Sequence, residues 1–131
     1  MSESFSKKFL LFSGWYNIVG SLVVITFFKI FFSILYGVTY DKSLHELLLM
    51  NHIILFGFVA KVGIGLLKAA IDPVHNQAII LVSALGKLFA FATWTLSYFK
   101  SVGTVMQVFA GVSDAIFALV FLVILRNLKT K

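Results

Sequence analysis

The chain has 131 residues, 60% of them hydrophobic and 12% charged, with a net charge of +6 and no cysteine. A soluble domain carries about 25% charged residues, and a chain this short cannot hide so much apolar surface in one core, so a soluble fold is excluded and a membrane protein is expected. The missing cysteines remove disulfides, iron–sulfur clusters and thiol catalysis. The basic residues gather at the ends of apolar runs, where they meet anionic headgroups and set orientation, so nucleic acid is not an expected partner.

Met1 to Lys8 is a polar head with two lysines. It resembles the first region of a signal peptide, but the apolar run after it is too long and lacks a small-residue cleavage site, so it reads as an uncleaved first span. That span starts at Phe9 and runs to Tyr36, interrupted by Lys29. About 20 residues cross a bilayer, so the segment is long enough to tilt or to emerge as an interfacial turn, with Lys29 snorkelling to the headgroups. Ser13, Asn17, Gly20 and Ser21 form a small, polar stripe at helical spacing. Such stripes mark helix contacts in membranes, and Asn17 is the expected donor across the interface. All 15 phenylalanines are accounted for by lipid contact and helix packing.

Gly37 to Glu46 reads as the first loop. His45 and Glu46 are two neighbours in a solvated loop and do not make a metal site. The second span covers about Leu47 to Leu67 and holds Asn51, His52 and Lys61. His52, one turn inside the boundary, reads either as a haem ligand, quinone donor or proton relay, or as a histidine bonded to a neighbouring helix or water. The second reading is preferred, because no other intramembrane histidine is available for a paired ligation. Lys68 to Gln77 is the second loop. Asp72 followed by Pro73 predicts a helix start there, with Asp72 as N-cap and Pro73 at the first helical position. Asn76 is not needed for that cap and is left available to a partner loop or headgroup.

The third span, about Ala78 to Phe99, carries Ser83, Lys87, Ala90 and Trp94 on one face, and the fourth, about Thr104 to Leu125, carries Gln107, Gly111, Asp114 and Ala118. Gln107 is the expected polar contact of that face. A turn near Lys100 to Gly103 brings Lys87 and Asp114 within a few Å of the same depth, at about 1.5 Å per residue. An ionisable group at that depth costs about 2.5 kcal/mol or more unless paired or hydrated, so the two are expected to meet. The pair reads either as a proton- or ion-coupled site, which would make the chain a small transporter, or as a structural lock between two helices. The sparse polar lining favours the lock.

No Gly-rich phosphate loop, H-E-x-x-H, paired-cysteine pattern or G-x-S-x-G elbow occurs. No cofactor or metal is expected, and enzymatic chemistry has little to work with. Lys7, Lys8, Lys68, Arg126, Lys129 and Lys131 lie on one side of the expected topology, and Lys42 and Lys100 on the other, with Lys29 near them. The positive-inside rule then places both termini in the cytoplasm. The expectation is an all-α, four-helix membrane bundle in one domain, surrounded by lipid and inviting self-association or a larger membrane partner.

The runs YNIVGSL (Tyr16 to Leu22), DPVHNQAIILVSALGKL (Asp72 to Leu88) and DAIFALVFLVIL (Asp114 to Leu125), set in four short spans, are similar to small bacterial four-helix membrane proteins. The broad DoxX-like group is the nearest named one. The resemblance covers most of the chain in architecture and implies a bacterial cytoplasmic-membrane location with an accessory role beside other membrane or redox proteins; it brings no active-site residues. Small multidrug transporters also have four short helices, but their hallmark carboxylate in the first span is absent here.

Overall fold

The computed structural model describes residues 2–37 and 45–129; the middle of the first loop, with Asp41 and Lys42, lies outside them. Five helices follow one another: α1 (Glu3–Thr26), α2 (Phe28–Tyr36), α3 (His45–Ile71), α4 (Gln77–Phe99) and α5 (Val105–Lys129). Among the described residues there is no strand. α1, α3, α4 and α5 are each long and apolar enough to cross a membrane.

The segment expected as one long first span is two helices. α1 starts earlier than the apolar run, because Ser2 caps it by accepting from the Phe5 N–H. It stops at Phe27, whose backbone leaves the helical range at φ −102° and ψ 34° while its N–H still donates to Val23 O. Neither Pro nor Gly marks the break. It follows the β-branched run Val23, Val24, Ile25 and Thr26, a poor helix sequence because such side chains crowd the preceding turn. The redirected α2 buries Phe28 and Phe32 and ends at Gly37, which takes the left-handed conformation at φ 65°.

The helices pack as two hairpins. In the first, α1 lies on α3 along Ser6, Leu10, Ser13, Gly14, Asn17 and Ser21, all buried, at the three- and four-residue spacing of a helix contact face. The backbones nearly touch at Gly14 and Gly63. A Cβ built on Gly63 would lie 2.7 Å from the Gly14 carbonyl oxygen, and one on Gly14 would lie 2.9 Å from that of Gly63. In the second hairpin α4 lies on α5, with Gly111 set against the backbone of Phe91. Gly20, expected in the contact stripe, faces open space: a Cβ added there would meet nothing within 4 Å. Gly14 takes that role.

The serines of these faces do not bond across them. Ser13 Oγ donates to Phe9 O and Ser83 Oγ to Ile79 O, each 2.7 Å away on its own helix. A back-bond of this kind satisfies the hydroxyl locally, and Ser21 Oγ is buried with no partner among the described residues, so the small residues contribute close approach rather than cross-links.

Four helices meet in one apolar cluster of Leu10, Leu66, Ala69, Ala70, Ile80, Ala84, Phe121, Ile124 and Leu125. Because it joins the start of α1 to the end of α5, it defines the pole of the bundle that carries both helix termini. The opposite pole is closed differently. Thr104, just before α5, donates its hydroxyl to Ile34 O at 2.7 Å and its N–H to Leu35 O at 3.2 Å. Those carbonyls belong to the last turn of α2, which has no intrahelical donors for them, so Thr104 closes α2 from about 70 residues away along the chain.

Candidate functional site

Lys87 and Asp114 reach each other between α4 and α5. Lys87 Nζ donates to Asp114 Oδ1 at 2.5 Å, with side-chain exposures of 11% and 17%. Both lie on the hairpin's inner face because α4 and α5 run antiparallel from a tight turn, in which Ser101 takes a left-handed conformation and Val102 and Gly103 N–H groups donate to Ser97 O.

The surroundings of the pair are aromatic. Lys87 Nζ lies 4.9 Å from the ring centroid of Phe117 and 5.9 Å from that of Tyr16. Phe117 sits one turn beyond Asp114 on α5 and stacks on Tyr16 of α1 at 5.2 Å, with Phe12 behind it at 6.0 Å. A cation over a ring face is attracted by about 0.5–2 kcal/mol. The ring faces therefore add to the carboxylate in offsetting the desolvation of the ammonium. Sequence reading missed both rings. Phe117 was within reach of it as the i+3 neighbour of Asp114, whereas no local signal places Tyr16 there.

His52 occupies a second polar position, near the opposite pole. It is 6% exposed, and its Nδ1 lies 3.2 Å from Leu48 O on its own helix. A carbonyl only accepts, so Nδ1 carries the proton and Nε2 of the neutral ring is an acceptor. That Nε2 is buried without a hydrogen-bond partner among the described residues. Phe28, Phe32 and Tyr36 of α2 stand edge-on to the imidazole at centroid distances of 4.8, 5.8 and 5.9 Å, with Phe56 at 5.7 Å. The histidine thus bonds back to its own helix, not to a neighbouring one. A cavity of about 420 Å³ opens beside it, lined by Phe32, Tyr36, Leu48, Asn51, His52, Leu55 and Val102.

The remaining sequence candidates separate. Asn17 is buried with its Cβ against Gly63, and Gln107 is buried with Oε1 lacking a partner among the described residues. Neither makes the expected hydrogen bond to another helix among the described residues; Gln107 instead folds back toward Gly103 at its own turn. Asp72 and Pro73 do not start α4, which begins four residues later, at Gln77. Asp72 N–H still donates to Lys68 O in the last turn of α3, so Asp72 ends one helix instead of opening the next. Its Oδ1 accepts from His75 N–H at 3.2 Å, its Oδ2 lies 2.7 Å from His75 Nδ1, and its carbonyl accepts from Asn76 Nδ2 at 2.8 Å. Asn76, expected to be spare, is committed to this turn. The His75 N–H chiefly holds the Asp72 carboxyl below the ordinary aspartate range. Among the described residues no group of three or more His, Asp or Glu side chains is placed to hold a metal ion.

Comparisons of the chain with protein-family models, with curated proteins and with solved structures find no match.

Proposed function

We propose that the chain is a non-enzymatic, multi-pass protein of a bacterial cytoplasmic membrane, of the DoxX-like kind, acting as a subunit or accessory factor of a membrane assembly. In this reading both termini are cytoplasmic and Lys87–Asp114 is the lock that fixes α4 on α5. The observation that carries it is the closure of the pair. Lys87 and Asp114 satisfy each other and are walled by Phe117 and Tyr16, and the 420 Å³ cavity is lined by neither of them. A coupled transporter needs a polar or hydrated route to its titrating group; the walls here are rings. Wide apolar faces on all four long helices, with Phe58, Phe89 and Phe109 more than 60% exposed, support contact with lipid and with neighbouring helices of a larger assembly.

The test is a set of variants in proteoliposomes. Lys87→Met and Asp114→Asn should each destabilise the fold, since removing one partner of a buried pair strands the other at about 3–5 kcal/mol. The double variant should recover most of that loss, and wild-type vesicles should show no flux driven by a pH gradient. Gradient-driven flux that Asp114→Asn abolishes in a protein still folded would instead make the chain a proton-coupled transporter. Migration as a lone monomer in native-like detergent, with no co-purifying partner, counts against the assembly role.

A further inference from the structure

We propose that the His52 box is a binding site for a lipid-soluble molecule that presents a ring and a hydroxyl donor, a phenol in its simplest form. The inference starts from an unpartnered polar atom. His52 is more than nine-tenths buried, Nδ1 is committed to Leu48 O, and Nε2 has no partner among the described residues. A buried acceptor left unsatisfied is destabilising, and native interiors rarely leave one without a reason. The surroundings are mainly aromatic and suit no metal ion as its partner. Tyr36 and Asn51 are the polar side chains that line the cavity with the imidazole among the described residues, and the rings of Phe28, Phe32, Tyr36 and Phe56 pack around it. A metal would need further ligands, and none are grouped for it among the described residues.

What fits is a molecule whose carbon body replaces hydrocarbon against rings while one O–H meets Nε2. The tautomer makes the choice directional. Because Nδ1 holds the proton, Nε2 accepts from a hydroxyl and repels a carbonyl or ether oxygen. Space and access agree with this. The cavity beside the box lies within the roughly 300–1,000 Å³ range of small-molecule sites, and His52, Phe32 and Tyr36 all line it. Leu55 and Asn51, two of its lining residues, are exposed, so the cavity is open to the surface of the helix bundle. α2 is the wall that makes the box, and its attachment through Thr104 keeps that wall in place.

The test compares 2-naphthol with 2-methoxynaphthalene, which has the same rings and no donor, on the full chain in lipid nanodiscs. Empty nanodiscs serve as the partition control. 2-Naphthol should bind saturably and about tenfold more tightly than the ether, the increment of one well-made hydrogen bond to a buried acceptor. In His52→Phe that advantage should vanish. The histidine Nε2 resonance of ¹⁵N-labelled wild type should move on adding 2-naphthol and stay in place with the ether, a reading that stands even if the variant fails to fold. Equal affinities for the two probes, an advantage that survives His52→Phe, partition into lipid only, or an unmoved Nε2 resonance would each overturn the proposal.

Discussion

Replacing Gly63 by alanine tests how the first hairpin is held. The added Cβ would sit 2.7 Å from Gly14 O, 2.9 Å from Ile18 Cγ1 and 3.0 Å from Asn17 Cβ. The first neighbour is backbone and cannot rotate away, so α1 and α3 must part by a large fraction of an ångström. Overpacking of this kind costs about 1–3 kcal/mol. Alanine also has the better helix propensity by about 1 kcal/mol, which would mask part of the loss. Gly57→Ala on the same helix cancels that term, because nothing lies within 4 Å of its built Cβ. The difference between the two variants is therefore the contact itself, about 1–3 kcal/mol against Gly63→Ala. Reversible unfolding in mixed detergent micelles, or steric trapping in bicelles, measures it. Gly14→Ala should fall between them, since its shortest contact is the mobile end of Leu67 and only the next is the Gly63 carbonyl. Equal stabilities for Gly63→Ala and Gly57→Ala would refute the close crossing and, with it, the idea that small residues rather than side-chain hydrogen bonds hold α1 on α3.

Three further outcomes follow from other parts of the fold. Thr104→Val removes the hydroxyl that donates to Ile34 and Leu35 carbonyls and should cost about 1–2 kcal/mol. Amide exchange should quicken in α2 and not around Gly63, and unchanged protection of α2 would show that the cap is idle. Asp72 titrates below the ordinary aspartate range because the charged carboxylate is the form that His75 N–H bonds. Its contribution is thus fully present above the unfolded aspartate pKa and lost as pH falls through the lower folded value. The stability gap between wild type and Asp72→Asn should persist at neutral pH and close in acid, and a carboxyl ¹³C titration midpoint at or above the ordinary value would contradict this. Because the chain has no cysteine, His75→Cys and Lys100→Cys each create a single thiol at an exposed position. Membrane-impermeant maleimide on whole cells should label position 100 and spare position 75, and the reverse pattern would invert the proposed topology.

The four long helices were legible because hydropathy and length alone identify a span, and the meeting of Lys87 with Asp114 could be counted from the turn because few residues join α4 to α5. Contacts set by helix azimuth were not legible. Gly14 and Gly20 both lie among small residues on α1, and only the rotation of α1 on α3 puts Gly14 at the crossing. The break at Phe27 lacks Pro and Gly, the usual causes of sharp kinks; the β-branched run before it and Lys29 after it allowed a turn there without fixing its position. Asp-Pro misplaced the start of α4 for a related reason. The pair signals that a turn begins, and here the turn consumes Asp72 to Asn76 in its own hydrogen bonds before α4 starts. Thr104 had no signal at all, since its partners lie about 70 residues away.

The two poles of the bundle differ in what is left unsatisfied. The terminal pole is a closed apolar cluster drawn from four helices. In lipid such a cluster holds by packing rather than by exclusion of water, which favours a stiff, featureless end. The ion pair stands between the poles with its charges matched. Beyond it, toward the opposite pole, Ser21 Oγ, Thr95 Oγ1, Gln107 Oε1 and His52 Nε2 are all buried without partners among the described residues. Native structures leave few polar atoms unmet away from places of use, and stability is least uniform where function needs motion or a guest. The charged pair draws the eye first in the sequence, yet its opposite charges already meet each other. The incomplete chemistry lies around α2 and His52, where one acceptor, a ring-lined box and a side opening coincide, and that end of the molecule is where a ligand or partner has something to add.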